Sequence, residues 1–278
     1  MLSKMSYRHR LTTTVKWAHR LLIHVLRRIF GYRQRFYLLT PPMFSTAWVL
    51  DAARRRVITI NIRDICDFWV ASQIFVNHDY GLEKLRRNRD IFASYRQIVD
   101  AGRKPLIIDC GGNSGMATRY FADTFPEAFV VCVEPDPGNI EAAKKNNASK
   151  SVAFLEVGVG SADTRATMSD PGEGNWAYQV KESAAGNIRI VSINTILGQY
   201  ADFTPFLIKI DIEGFEENLF ERNTEWIDRF PLLIIELHDW MLPAKSNSRN
   251  FLREMGKRDR DFVSFGENVF SISNTRTF

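Results

Sequence analysis

The sequence predicts an α/β fold with a doubly wound, mostly parallel sheet and an antiparallel hairpin at its C-terminal end. From residue 106 onward, short apolar runs alternate with amphipathic or polar segments, which is typical of a parallel sheet covered by helices on both faces. The runs lie at 106–110, 129–133, 152–157, 206–211 and 232–237. The end of the chain differs: Asp261–Phe265 and Val269–Ser273 flank Gly266 as strand, turn and strand, which indicates a hairpin on the sheet edge. With 45% hydrophobic residues, the chain can form such a core.

The first 50 residues are predicted to form a basic helical extension. They contain nine Lys or Arg and no Asp or Glu, so the rest of the chain is net acidic although the whole carries +5. Residues 15–30 have the periodicity of an amphipathic helix. Its apolar face consists of Val15, Ala18, Leu21, Leu22, Val25, Leu26 and Ile29, opposite Lys16, Arg20, His24, Arg27 and Arg28. We expect the helix to cover a neighbouring core, and peripheral contact with an anionic membrane is the alternative.

Residues 51–278 are predicted to form the main domain, in which 51–105 lead into the core at 106–278. Arg56–Arg63 alternates like a half-buried strand. A helix follows, with Asp64 or Asp67 as its cap. A charged helix then fills 82–100 and ends before the break at Gly102–Pro105.

The cysteines predict a reducing compartment. Cys110 and Cys132 fall in apolar runs, where a thiol packs as a small hydrophobe, and there is no disulfide framework or CxxC metal pattern. The apolar run Leu21–Ile23 is interrupted at His24 and ends at Arg27, so neither a membrane-spanning helix nor a signal peptide is predicted. We therefore expect the protein in the cytoplasm, free or at the inner face of the membrane.

Polar residues stand at the ends of four predicted strands. These are Asp109, Glu134, Asp211 and the pair Glu236 and His238. In a doubly wound sheet the carboxyl ends of the strands form the ligand face, near the point where the strand order reverses. The pattern therefore predicts one ligand site built from several strands.

The turn after the first core strand indicates a nucleoside site. Gly111 and Gly115 allow close approach to the backbone, which a Cβ would block. Glu134 follows Asp109 by 25 residues, at the end of the next strand, where a carboxylate can accept hydrogen bonds from both ribose hydroxyls. An ordinary tight turn would not require Glu134, so the combination of the glycines and Glu134 favours a nucleoside site.

A nicotinamide dinucleotide is the competing ligand, because the same geometry binds it. The turn Gly111–Gly115 lacks the G-x-G-x-x-G spacing of a pyrophosphate site. Asp109 before the turn suits a cationic methionine group better than a phosphate. The residues therefore favour S-adenosylmethionine.

Four motifs resemble the FkbM family of methyltransferases. They are Asp109–Gly115, Glu134–Pro137, Leu207–Gly214 and Ile234–His238, in the family's order and spacing over roughly residues 57–242. The resemblance implies a class I methyltransferase fold, with a seven-stranded, mostly parallel, Rossmann-like sheet. It also implies methyl transfer from S-adenosylmethionine, commonly to a hydroxyl of a sugar, glycolipid or secondary metabolite. Gly112 departs from the family, which usually has alanine there, and removal of a methyl group is expected to be harmless.

The resemblance also implies roles for individual residues. Asp109, Gly111 and Gly115 would hold the methionine end of the cofactor, Asn113 in the same turn would contact it, Glu134 would bind its ribose, and Gly158 would lie near its adenine. Facing the transferred methyl would be Lys209, Asp211, Glu213, Glu236 and His238.

Methylation of a hydroxyl needs a base, and His238 is the first candidate. An aliphatic hydroxyl is a poor nucleophile unless its proton is removed, and imidazole titrates near neutrality. Asp211 is the alternative base. Asp211, Glu213 and Glu236 could instead hold magnesium. However, the cationic Lys209 lies in the same strand, and the sequence lacks the Asp and the following Asp–Asn pair of metal-dependent, catechol-type methyltransferases. Metal-free transfer is therefore expected.

Two other functions are compatible with parts of the sequence. The basic N-terminus suits a nucleic-acid methyltransferase. However, Lys209–Gly214 occupies the place of the Asn-Pro-Pro-Tyr-type loop of such enzymes, so nucleic acid is not the expected partner. A non-catalytic, methyltransferase-like protein that binds a membrane or partner through its helix is disfavoured by the intact motifs. The predicted partner is a small-molecule or glycan hydroxyl acceptor.

Overall fold

The computed structural model describes residues 14–19, 21–23, 26, 35–148, 151–169, 179–182 and 186–275. The chain divides into two compact units, Met1–Asp79 and Tyr80–Phe278. The boundary predicted at residue 50 lies inside a strand of the first unit. The separate extension over 1–50 stays a prediction.

The first unit contains a three-stranded antiparallel sheet. Its strands are β1 (Phe36–Leu38), β2 (Thr46–Asp51) and β3 (Arg56–Asn61), in the order β1-β2-β3. Helix α1 (Ile65–Ser72) follows and continues as a π-helical turn over Gln73–Asn77. Asp64 caps α1 as predicted, because its Oδ1 accepts a hydrogen bond from the Asp67 backbone N–H at 3.0 Å. The predicted strand and helix are therefore present here.

Residues 14–19, 21–23 and 26 are helical, as predicted for 15–30, and the remaining residues of that range lie outside the described residues. Trp17 Nε1 donates a hydrogen bond to the Leu38 carbonyl at 3.2 Å, and Leu21 lines the same apolar cleft. Val15 and Leu22 keep more than half of their surface exposed. Trp17 and Leu21 thus pack within the unit. Among the described residues, none of the helices is long and apolar enough to cross a membrane.

The second unit is built on a seven-stranded sheet in the order β13-β14-β12-β11-β4-β5-β6. Its strands are β4 (Pro105–Cys110), β5 (Phe129–Val133), β6 (Val152–Leu155), β11 (Thr204–Ile210), β12 (Leu232–Glu236), β13 (Arg260–Phe265) and β14 (Asn268–Ser273). The first five are parallel, and the β13–β14 hairpin is antiparallel, with β13 at the edge. The order reverses between β4 and β11, which is where a doubly wound sheet binds ligands. The predicted fold class is confirmed.

Helices cover this sheet. They are α2 (Asn88–Asp100), α3 (Met116–Thr124), α4 (Pro137–Asn147), α5 (Ile193–Gln199), α6 (Glu216–Leu219) and α7 (Arg249–Met255), with 3-10 turns at Leu82–Lys84, Glu225–Arg229 and His238–Trp240. The charged helix predicted over 82–100 starts later, at Asn88, because residues 82–84 form a separate 3-10 turn. Asp136 caps α4 by accepting from the Asn139 N–H at 2.7 Å, with Pro137 in the first turn.

A second, four-stranded sheet, in the order β7-β10-β8-β9, was not predicted. Its strands are β7 (Gly158–Gly160), β8 (Thr164–Ser169), β9 (Gln179–Glu182) and β10 (Ile188–Ser192). These strands are short and mostly polar, so they lack the continuous apolar pattern that marks the parallel core. Ala166, Ile188 and Ile190 form a small core with Phe215.

The centre of the main sheet is fully buried, which constrains its polar residues. All six residues of β4 are buried, and Ile107 and Ile108 have no exposed surface. Burial of each such side chain stabilises the fold by about 1.5–3 kcal/mol. Asp109 lies in the same strand and is equally buried, so its carboxylate needs partners.

Candidate active site

The glycine turn after β4 has the backbone conformation that only glycine adopts easily. Gly111 has φ +76° and Gly115 has φ +75°. A Cβ on Gly111 would lie 1.7 Å from the Asp211 carbonyl oxygen, and one on Gly115 would lie 2.7 Å from Ala143 Cα. From the sequence, close approach of a cofactor is the expected reason for these glycines. The protein's own backbone contacts already require them.

Two asparagines at the end of α4 hold the turn. Asn146 Nδ2 donates to the Ser114 carbonyl and Asn147 Nδ2 donates to the Gly115 carbonyl, each at 2.9 Å. Both asparagines are 1% exposed. Sequence reasoning missed them, although adjacent amides near a helix end are a signal of such contacts. The turn is therefore rigidly placed before any ligand binds.

Gly112 is also matched to its surroundings. A Cβ there would lie 2.3 Å from Cys132 Sγ, and Cys132 on β5 is fully buried. The space that an alanine methyl would fill is thus taken by this sulfur. Glycine at position 112 therefore leaves room for the Cys132 side chain.

Glu134 lies at the end of β5 and faces the turn. Its Oε2 accepts from the Asn113 N–H at 2.9 Å, and its Oε1 accepts from Asp136 N–H and Asn139 Nδ2, both at 3.1 Å. Burial raises the pKa of Glu134, and these hydrogen bonds lower it in part. Asn113 has φ +45°, which turns its N–H toward this carboxylate. The structure thus joins Asn113 and Glu134, two residues predicted to contact the cofactor.

Asp109 and Lys209 form a buried pair beneath the turn. Lys209 Nζ donates to the Gly111 carbonyl at 2.8 Å and lies 3.2 Å from Asp109 Oδ1 and 3.3 Å from Asp211 Oδ2. Thr118 donates to Asp109 Oδ2 at 2.6 Å. Burial lowers the pKa of Lys209, but Asp109 and Asp211 outweigh it and hold the pKa well above its ordinary value. Lys209 is therefore a fixed cation that ties the turn to β11, and it does not act as a base.

Four of the predicted side chains converge beyond β11 and β12. His238 Nε2 lies 3.5 Å from Asp211 Oδ1, 3.5 Å from Glu213 Oε2 and 3.6 Å from Glu236 Oε1. We call Asp211, Glu213, Glu236 and His238 the carboxylate–histidine cluster. The three carboxylates are partly exposed, by 17–32% of each side chain, whereas the His238 side chain is 1% exposed. Glu213 reaches the cluster from a backbone with φ +54°, followed by Gly214 at +96°.

A buried carboxylate that the sequence did not single out orients His238. Glu216 at the start of α6 has no exposed surface, and its Oε1 lies 2.9 Å from His238 Nδ1. Asn247 Nδ2 donates to Glu216 Oε2 at 2.7 Å, and the Ile212 N–H donates to Oε1 at 3.2 Å. Glu216 lies five residues after Asp211, and only the chain reversal at Gly214 brings it under His238. The imidazole is therefore held in one orientation.

Burial and like charges shift the acid–base behaviour of the cluster. Burial and then the Asp211 charge raise the pKa of Glu213 to about 8, and the same causes raise the pKa of Glu236 to about 7. Burial lowers the pKa of His238, but Glu216 and Asp211 outweigh it and raise the pKa to about 9.

Two further aromatic residues border the site. Tyr80 packs on Tyr120 and Phe121, with ring centroids 6.2 and 5.3 Å away. Burial raises the pKa of Tyr80, and the charges of Lys209 and Asp211 act on its hydroxyl. Trp240 is 63% exposed and lies 6.4 Å from the His238 ring. Sequence reasoning had no periodic signal for Tyr80, which precedes the regular part of the chain.

Gly158, predicted to lie near adenine, is the first residue of β7 in the four-stranded sheet. A Cβ there would lie 2.6 Å from Ile190 Cδ1. This packing on β10 gives a structural reason for glycine. Its predicted contact with adenine stays a prediction.

Comparison with known proteins identifies the family. The model of the methyltransferase FkbM domain matches residues 109–259, which include the glycine turn, Glu134 and the whole carboxylate–histidine cluster. The chain belongs to the FkbM methyltransferase family. None of the curated proteins compared with it by sequence matches.

The FkbM domain also has similar solved structures. They include the METTL16 MTase domain, with 14% identity, coverage of 68% of this chain and 67% of that chain, and a TM-score of 0.40. The plantazolicin methyltransferase BpumL, in complex with a monoazolic desmethylPZN analog and SAH, has 14% identity, coverage of 74% and 94%, and a TM-score of 0.33. A methyltransferase from Geobacter sulfurreducens has 16% identity, coverage of 69% and 86%, and a TM-score of 0.32.

The family is that of S-adenosylmethionine-dependent methyltransferases, and the donor set of this FkbM domain fits the cofactor. Glu134 presents a carboxylate of the kind that accepts both ribose hydroxyls. Asp109 lies beneath the turn, where its carboxylate suits a cationic sulfonium and α-amino group. The FkbM domain is thus an S-adenosylmethionine-dependent methyltransferase.

Proposed function

We propose that this FkbM domain transfers methyl from S-adenosylmethionine to a hydroxyl oxygen of a sugar, glycolipid or other small metabolite. The carboxylate–histidine cluster carries the proposal. Its partly exposed carboxylates stand at the strand ends that flank the cofactor turn, where an acceptor hydroxyl can reach them.

The cluster supports removal of the acceptor proton. Bound S-adenosylmethionine supplies a methyl group on a positively charged sulfur. A carboxylate of the cluster would take the proton of the hydroxyl as the new oxygen–carbon bond replaces the carbon–sulfur bond of the cofactor, whose sulfur becomes an uncharged thioether. Asp211 and Glu236 are more accessible than His238, whose Nδ1 is held by Glu216. The geometry therefore favours a carboxylate as the base, with His238 as its positioning partner.

The exposed Trp240 supports a sugar-like or similarly amphipathic acceptor. A flat aromatic surface beside polar groups is typical of small-molecule sites, in which apolar contact and a few polar groups fix the ligand's orientation. The indole lies one 3-10 turn from His238. We expect Trp240→Ala to raise the KM for the acceptor more than it lowers kcat.

The test uses S-adenosylmethionine labelled in its methyl group and acceptor panels of glycans, nucleotide sugars, glycolipids and oligonucleotides. We expect the label in an ether linkage, identified by mass spectrometry. Asp211→Asn should abolish transfer and leave cofactor affinity unchanged in calorimetry. Asp228 is an exposed surface carboxylate, so the control variant Asp228→Asn should change neither methyl transfer nor cofactor affinity. Label on a nucleobase nitrogen, or full activity of Asp211→Asn, would contradict the proposal.

A further inference from the structure

The His238 side chain is 1% exposed, and its Nε2 has no carboxylate oxygen at a normal hydrogen-bonding distance among the described residues. Three carboxylate oxygens surround it at 3.5–3.6 Å. An N–H···O hydrogen bond spans about 2.7–3.2 Å, and one N–H cannot serve three acceptors. The nitrogen is thus aimed at a space that three carboxylates share.

These separations suit ligands arranged around a common ion. Metal–oxygen and metal–nitrogen bonds of about 2.0–2.2 Å place neighbouring ligands of a tetrahedral or octahedral site roughly 3.0–3.5 Å apart. One donor atom from each of Asp211, Glu213 and His238 lies within 4.8 Å of the other two. Glu236 Oε1, 3.6 Å from His238 Nε2, is within reach as a fourth donor.

The contacts behind His238 are those of a metal ligand. A histidine that binds a metal through one nitrogen usually donates its other N–H to a carboxylate, which fixes the tautomer. Glu216 provides this at 2.9 Å and is itself held by Asn247. An ion bound at Nε2 would take the place of the Nε2 proton among the three carboxylates, while Nδ1 keeps its proton and its contact with Glu216.

The charge balance points the same way. Among the described residues, His238 is the basic side chain within 4 Å of Glu213 and Glu236. Lys209 reaches Asp211 but also neutralises Asp109. The cluster therefore has more carboxylates than cations.

We infer that Asp211, Glu213 and His238, with Glu236 as a fourth donor, bind a divalent metal ion. Carboxylates suit hard cations and imidazole suits transition metals, so the mixed set favours Mn²⁺ over Mg²⁺. An ion there would contact an acceptor oxygen and lower the pKa of its hydroxyl. This inference goes beyond the proposed methylation, because binding of the ion can be measured without an assay of methyl transfer.

The experiment titrates the metal-free full chain with MnCl₂ and follows the electron paramagnetic resonance signal of free Mn²⁺. We expect one ion per chain, and Asp211→Asn and Glu213→Gln should each weaken binding by at least about tenfold. Glu213 is 32% exposed, so its amide variant tests the site without disturbing the core. Asp228→Asn is the matched control and should bind like the wild type.

Two results would overturn the inference. One is the absence of Mn²⁺ binding at about millimolar concentration in a folded wild-type protein. The other is binding that Asp211→Asn and Glu213→Gln leave unchanged, which places the ion elsewhere. Methyl transfer that persists in EDTA, together with absent Mn²⁺ binding, rejects the metal site and keeps the proposed function. Binding of Mn²⁺ without any methyl transfer to hydroxyl acceptors keeps the metal site and rejects the proposed function.

Discussion

Substitution of Gly112 by alanine tests how the cofactor turn is fitted to the sheet. The added Cβ would lie 2.3 Å from Cys132 Sγ, compared with about 3.5–4.0 Å for an unstrained contact. Cys132 Cβ is 3.7 Å away, so the overlap is confined to the sulfur. The sulfur can move only within a fully buried region.

We therefore expect Gly112→Ala to destabilise the fold by about 1–3 kcal/mol, the usual cost of one extra carbon in a packed core. For a unit of this size, that lowers Tm by roughly 2–4 °C per kcal/mol. Cys132→Ala alone removes a buried sulfur and should also destabilise, by about 1 kcal/mol. In the double variant the new methyl occupies space that the sulfur leaves, so stability should recover.

The assay is a double-mutant cycle from urea unfolding, with S-adenosylmethionine affinity measured by calorimetry on the same four proteins. Gly198→Ala is the control. A Cβ at Gly198, in α5, meets nothing within 4 Å, so this variant should be about as stable as the wild type or slightly more stable. The reasoning is refuted if Gly112→Ala changes stability by less than about 0.5 kcal/mol, or if Cys132→Ala fails to rescue it.

Three further predictions follow from the charged groups. Glu134→Gln should weaken S-adenosylmethionine binding in calorimetry by about 10–100-fold, since it removes a charged acceptor; unchanged affinity would exclude a ribose contact. Lys209→Met leaves Asp109 without its cation, so urea unfolding should show a loss of about 3–5 kcal/mol, whereas the exposed Lys144→Met should cost less than about 1 kcal/mol. The pKa of Glu254 is lowered to about 2, first by its hydrogen bond from Lys257, so its contribution to stability is present above about pH 4.5 and is lost as the pH falls toward 2. Unfolding of Glu254→Gln and wild type should therefore differ at pH 7 and converge in acid, and a constant difference would contradict this.

Lys209 links the two halves of the site. Its ammonium contacts the Gly111 carbonyl in the cofactor turn and lies between Asp109 and Asp211. The two halves of the site therefore share one buried polar contact. Sequence reasoning grouped Lys209 with the residues facing the methyl group, and the structure places it beneath the turn.

The sequence alone predicted the main parallel sheet and several of the polar residues that its strand ends bring together. Apolar runs such as those at Phe129–Val133 and Leu232–Glu236 matched their strands closely, because a strand buried on both faces needs a continuous apolar stretch. Strand ends meet at one edge of a parallel sheet, so the position of Asp211 and His238 at two strand ends was enough to predict that they meet.

Only the tertiary structure decided what each residue contacts. Gly111 is required because a Cβ there would overlap the Asp211 carbonyl oxygen. Glu216 reaches His238 because the chain reverses at Gly214, and the periodicity of the sequence does not predict that reversal. The small sheet around Ile190 was invisible for the same reason. Periodicity reports which face of an element is buried, whereas partners far apart in sequence are set by how the elements pack.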